Sequence, residues 1–150
     1  MCGIAGLIHR GKSSNVGREL TDMLQSLKHR GPDSTGFALY GNPKSGEYVL
    51  RFKVAEQEDM RHGFQIHHQV IERRAEVDRR LDELGVRRIS EDAATEYAFR
   101  YLVSFDGDMK KLADYVEDVE GAEILSIGNA LELVKDLGDA SVVSDQYGLA

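Results

Sequence analysis

Leu27-Lys28-His29-Arg30-Gly31-Pro32-Asp33-Ser34-Thr35-Gly36 is the stretch where a helical period gives way to a strand. Upstream of it, Val16, Leu20, Met23, Leu24 and Leu27 recur at three- and four-residue spacing. That spacing lays an apolar stripe along one face and predicts a helix over 15–29. Ser13, Ser14 and Asn15 are N-cap candidates, because their short side chains can accept from the first unpaired N–H groups. Lys28, His29 and Arg30 close the helix, where cations complement its dipole, and Gly31-Pro32 stops it. A strand is predicted over 34–41. The turn cluster Gly41-Asn42-Pro43-Lys44-Ser45-Gly46 then leads into a hairpin partner over 47–53. A helix followed by antiparallel strands predicts an α+β chain. Helix punctuation accounts for Gly31 and Pro32, but not for Arg30, Asp33 and Ser34 gathered at the junction.

Outward toward the N-terminus lies Met1-Cys2-Gly3-Ile4-Ala5-Gly6-Leu7-Ile8, which reads as a buried strand over 2–8 and holds the only cysteine of the chain. Cysteine is small enough for Met1 to be removed, leaving a thiol and a free α-amine on one residue. A thiol attacks only as the thiolate. An α-amine, with a pKa of about 7.7–8.0, can take its proton near neutral pH. Gly3, Ala5 and Gly6 leave room for a substrate to reach the backbone. The bland reading is that Met-Cys arises by chance and that the lone cysteine is an inert small hydrophobe.

Together, Cys2-Gly3-Ile4-Ala5-Gly6-Leu7, then His29-Arg30-Gly31-Pro32-Asp33-Ser34, then Gly36-Phe37-Ala38 resemble the class II glutamine amidotransferases, the N-terminal-nucleophile group. The match covers the first third of the chain. The remainder looks like the long insertion of one subgroup, the amidotransferase domain or subunit of archaeal-type glutamate synthases. The resemblance implies a partial Ntn-hydrolase-type antiparallel sheet with a packed helix, in which strands 2–8, 34–41 and 47–53 share one sheet. It implies that Cys2 attacks the side-chain amide of glutamine, releases ammonia, and forms a thioester that water resolves to glutamate. The ammonia would pass to a synthase domain or subunit. Arg30 matches a position near the family's active site, Gly31 and Asp33 would shape its wall, and no cofactor is needed.

The family also places a carboxylate-clamping Arg in a His-X-Arg segment, an oxyanion hole in an Asn-Gly pair, and a later Asp on the substrate amine. None of these is found here: Asn15, Asn42 and Asn129 precede Val16, Pro43 and Ala130. Loss of an oxyanion donor can cost about a hundredfold or more in rate, so these residues alone would make a poor glutaminase. The half-apolar run 142–150 reads as an interruption, with the missing residues expected beyond it. The rival reading is a truncated or degenerate, non-catalytic module whose 56–140 segment binds a partner or small ligand.

A composition shift near residue 55 predicts a division into 1–55, the start of the amidotransferase domain, and 56–150, an α+β insert of split-βαβ type with an incomplete return. Within the insert, Ile66, Val70, Val77, Leu81 and Leu84 predict a charged helix over 63–84, ended by Gly85. Tyr97, Phe99, Tyr101, Val103 and Phe105 alternate as a strand. Met109, Leu112, Ala113 and Val116 predict a helix, 122–127 a strand, and Ala130, Leu131, Val134 and Leu137 a further helix. Asp106-Gly107-Asp108 reads as a turn and N-cap rather than a calcium loop. His62, His67 and His68 miss zinc spacing, so no metal is expected. A net charge of −7 argues against nucleic acid. One cysteine fits a reducing cytoplasm, and no apolar run approaches a membrane span of about 20 residues.

Overall fold

In the computed structural model, which describes residues 2–30 and 33–150, the elements in chain order are α1 (Val16–Ser26), β1 (Ser34–Tyr40), β2 (Glu47–Lys53), α2 (Phe64–Glu83), β3 (Arg87–Ala93), β4 (Ala98–Ser104), α3 (Met109–Glu117), β5 (Glu123–Gly128), β6 (Leu131–Leu137) and α4 (Ala140–Tyr147). The chain divides into two compact units: Met1–Phe37 with Lys135–Ala150, and Ala38–Val134. It passes out along β1 and returns along β6, which pair as a two-stranded ribbon. The composition shift near residue 55 falls inside the second unit, between β2 and α2.

The second unit runs β-α-β-β-α-β, with sheet order β3-β4-β2-β5. Each neighbouring pair is antiparallel. This is the split βαβ arrangement. Alternation drives it. In β2, Leu50 and Phe52 point to one face and meet Tyr101 and Phe99 of β4 in register. Their rings pack together, Phe52 edge-to-face with Tyr101 at 5.0 Å and tilted against Phe99 at 5.3 Å between centroids. Ile66, Val70, Val77 and Leu81 of α2, with Leu112 and Val116 of α3, are buried as the helical contribution to the core. Helix α2 ends as its sequence predicts: Gly85 takes φ +77°, and Val86 N–H closes back on the Leu81 carbonyl at 3.0 Å. Asp108 caps α3, accepting from the N–H groups of Lys110 and Lys111.

The polar half of this core is one network. The Tyr101 hydroxyl donates to Asp78 at 2.8 Å and accepts from Arg74 Nε at 2.9 Å, while the Arg74 guanidinium lies 4.3 Å over Phe99. Burial raises the Tyr101 pKa above that of an ordinary phenol, and it raises the Asp78 carboxyl despite its hydroxyl partner.

In the first unit, α1 packs on α4, where the hydroxyls of Thr21 and Ser144 meet at 3.0 Å and both residues are buried. Gln25 clasps the same pair: its Nε2 donates to Asp139 at 3.2 Å and its Oε1 accepts from Ser141 N–H at 3.3 Å. Asp139 is the N-cap of α4, accepting from Val142 N–H. No helix among the described residues is long and apolar enough to cross a membrane.

Three expectations need correction, and one strand had no counterpart among them. Residues 2–8 form neither strand nor helix; Ile4 and Ile8 are 91% and 93% exposed, with Gly3, Ala5 and Leu7 half-buried between exposed neighbours. An apolar run sets up a strand but does not supply its ladder partner. The three-stranded sheet of 2–8, 34–41 and 47–53 is likewise absent, since β1 pairs with β6 while β2 lies between β4 and β5. Residues 130–137 are strand, not helix. Val134 and the acidic Asp136 take the buried positions, and a buried carboxylate hides a period of two. Strand β3 escaped the reading because, as a sheet-edge strand, it is charged along most of its length.

Candidate active site

The helical stripe determines where the first candidate residues fall. Helix α1 ends at Ser26, and a 3-10 turn over Lys28–Arg30 follows, with Arg30 N–H bonded to the Leu27 carbonyl at 2.9 Å. Gly31 and Pro32 lie outside the described residues. Against the end of α1 runs the N-terminal segment. A Cβ built on Gly3 would sit 3.1 Å from Leu27 Cβ and 3.7 Å from Arg30 Cβ. Only a residue without a side chain approaches this closely without displacing Leu27. Farther along, His9 Nε2 meets Glu19 Oε2 at 2.9 Å and ties the segment to the first turn of α1.

Cys2 is a free, exposed thiol, one residue before the Gly3 contact. The structure therefore brings the backbone beside Cys2 against Arg30. Asp33 is exposed, and its carbonyl is taken by Gly138 N–H at 3.1 Å at the mouth of the β1–β6 ribbon. Among the described residues, no side-chain contact joins Asp33 to Cys2.

Behind Gly3 lies a small polar recess of about 70 Å³, lined by Leu24, Leu27, Lys28, Thr35 and Asp139 among others. At about 30 Å³ per water in the liquid, it has room for roughly two waters, not for an amino-acid substrate. Its polar wall is ordered. Thr35 Oγ1 donates to the Gly138 carbonyl at 2.9 Å. The hydrogen bond from Gln25, then that from Val142 N–H, hold the Asp139 carboxyl below its usual range, with Lys28 adding a weaker attraction. Asp139 and Gln25 were missed by the sequence reading. The available signal was Asp139 just before the apolar run Ala140–Val143, an N-cap pattern masked by reading 130–137 as a helix.

The histidines of α2 pair with carboxylates, His67 with Glu96 and His68 with Glu72. No group of three or more His, Cys, Asp or Glu among the described residues is placed to hold a metal ion.

No protein-family model matches the chain. It is similar, at 26% identity over 152 aligned positions, to a protein of Methanothermobacter thermautotrophicus that carries the provisional name of a glutamine amidotransferase; the alignment takes in 98% of this chain and 47% of that protein. It is 29% identical over 142 positions to the glutamine amidotransferase-like protein GlxB of Rhizobium meliloti, covering 92% of this chain and 42% of that one. The chain thus spans a little under half the length of the curated relatives it matches. Likeness to two such proteins along nearly the whole chain supports a glutamine amidotransferase family.

Proposed function

We propose that this chain carries the nucleophile of a class II, N-terminal-nucleophile glutamine amidotransferase of the glutamate-synthase-like subgroup, with Cys2 as the mature N-terminus. The observation that carries this reading is Cys2 heading a Cys-Gly-Ile-Ala-Gly run in a chain similar along nearly all its length to amidotransferase-named proteins. The exposed thiol and the packing of Gly3 against Leu27 and Arg30 support it.

The chemistry follows from the residue. The free α-amine of Cys2 takes the thiol proton, and the thiolate attacks the side-chain amide carbon of glutamine. The tetrahedral intermediate collapses as the amide nitrogen takes that proton and leaves as ammonia. Water then attacks the γ-glutamyl thioester, giving glutamate and restoring the thiol. Arg30, in the 3-10 turn after α1, lends positive charge to this corner, with Gly31 and Asp33 proposed as its site-shaping neighbours in sequence. The ammonia passes to a synthase domain or subunit.

Intact-mass analysis and labelling with a glutamine-analogue electrophile test this. The expected result is loss of Met1 and a single label on Cys2. Retained Met1, or label on other residues with Cys2 unmodified, overturns it and favours a non-catalytic module.

A further inference from the structure

The face of the four-stranded sheet opposite α2 and α3 carries a second recess, independent of the Cys2 corner and built wholly from the second unit. Its floor is Val49 of β2 and Leu102 of β4, paired in register. Its walls carry Lys44, Glu47, Arg100 and Glu132, and the turn 128–131 closes one side. The volume is about 230 Å³. That lies below the roughly 300–1,000 Å³ of pockets for drug-sized ligands, so the recess has room only for a small molecule.

The charges on the walls differ in how far they are satisfied. Glu132 is fully engaged: Arg51 Nε donates to it at 2.9 Å, and Arg100 donates through Nε at 3.0 Å and Nη2 at 2.9 Å. This clasp holds the wall in place, with Arg51 only 7% exposed. Glu47 is different. Its side chain is 30% exposed, but its Oε2 is buried with no hydrogen-bond partner among the described residues, held only by the ion pair with Lys44 Nζ at 3.7 Å. Lys44 is 75% exposed and stands at the mouth. A buried carboxylate oxygen without a donor is costly, and a ligand ammonium would remove that cost. Lys44 at the rim supplies positive charge for a ligand anion, whereas Arg100 is taken by Glu132 through Nε and Nη2 and by Asp92 at 4.0 Å from Nη1.

We propose that this recess binds a small α-amino acid, with its ammonium on Glu47, its carboxylate toward Lys44, and its side chain on Val49 and Leu102. An anion alone leaves Glu47 Oε2 without a hydrogen-bond donor, and an amine alone draws Glu47 from its ion pair with Lys44 and gives that lysine nothing in exchange.

Amide chemical-shift mapping on the full 150-residue chain tests this, with alanine, serine, glutamate and glutamine set against methylammonium and acetate. At ~10 mM, tenfold above a Kd of ~1 mM, an amino acid is expected to shift the amides of residues 47–49 and 128–131. Glu47→Gln should weaken binding about tenfold or more, because it removes a charged acceptor. Lys44→Ala, at an exposed position that leaves folding intact, should weaken it less. Methylammonium or acetate binding as tightly as the amino acid overturns the proposal. So does an undiminished response in both variants, or no shift at 47–49 and 128–131. A response to glutamine confined to residues near Gly3 and Leu27 counts against this recess while favouring the Cys2 site, so the two readings fail separately.

Discussion

At the scale of single residues, the corner where Gly3 meets Leu27 and Arg30 is the most consequential contact in the first unit. A guanidinium near a thiol favours the thiolate. Replacing Arg30 with Ala is therefore expected to slow Cys2 labelling by about threefold or more, while a role confined to the helix dipole would cost only ~0.3–1 kcal/mol of stability. Labelling kinetics set beside a thermal melt decide it; an unchanged rate in a slightly less stable variant assigns Arg30 to the dipole. Glu132 offers a residue-scale test in the second unit. Burial opposes its ionisation, but hydrogen bonds from Arg100 and Arg51 outweigh this and hold the carboxyl below its ordinary 4.5. A depressed folded value means stability that is present above about pH 4.5 and lost as pH falls through the folded value. Glu132→Gln should thus cost about 1–3 kcal/mol near neutral pH, the gap to the parent closing at acid pH in urea titrations.

At the scale of elements, the α1–α4 pair and the α2–sheet pair rest on different physics. Gly17 lies so close to the chain end that an added Cβ would come within 1.7 Å of the Leu149 carbonyl oxygen. Ala favours helix over Gly by about 1 kcal/mol, yet Gly17→Ala is expected to lower the melting temperature by several degrees, because backbone must move. A rise in melting temperature would show that the close approach is not maintained in solution. Under the sheet, Tyr101→Phe removes the hydroxyl shared by Arg74 and Asp78 and leaves both partners without it. The expected loss is about 1–3 kcal/mol with little change in the urea m-value, since apolar burial is unaffected. Elements with a clear local signature were legible in the sequence: α1 in its stripe, α2 in its stripe and Gly85, α3 in its Asp108 cap, β4 in its alternation. Strand β3 and helix α4 were not, because a charged edge strand shows little apolar alternation and α4 follows a segment misread as helix.

At the scale of the whole chain, the second unit holds its own core of Leu50, Phe52, Val77, Leu81, Tyr101, Val103, Leu112 and Val116, each 1% exposed or less. Excised residues 38–134 are therefore expected to fold alone with one cooperative urea transition, checked by circular dichroism; a broad, non-cooperative melt would show that they need the remainder. The sequence by itself determined what depends on near neighbours in the chain: the α+β class, the caps and stops, and the apolar faces. Only the tertiary structure decided which strands pair. It set β1 against β6 rather than β2, put β2 between β4 and β5, left 2–8 without a ladder, and brought Arg51, Arg100 and Glu132 together across 81 and 32 residues of chain. The reason is physical. Periodicity and capping are set by side chains a few positions apart, whereas ladder hydrogen bonds and buried ion pairs join groups far apart in the chain, and competing pairings differ only once the packed core selects among them.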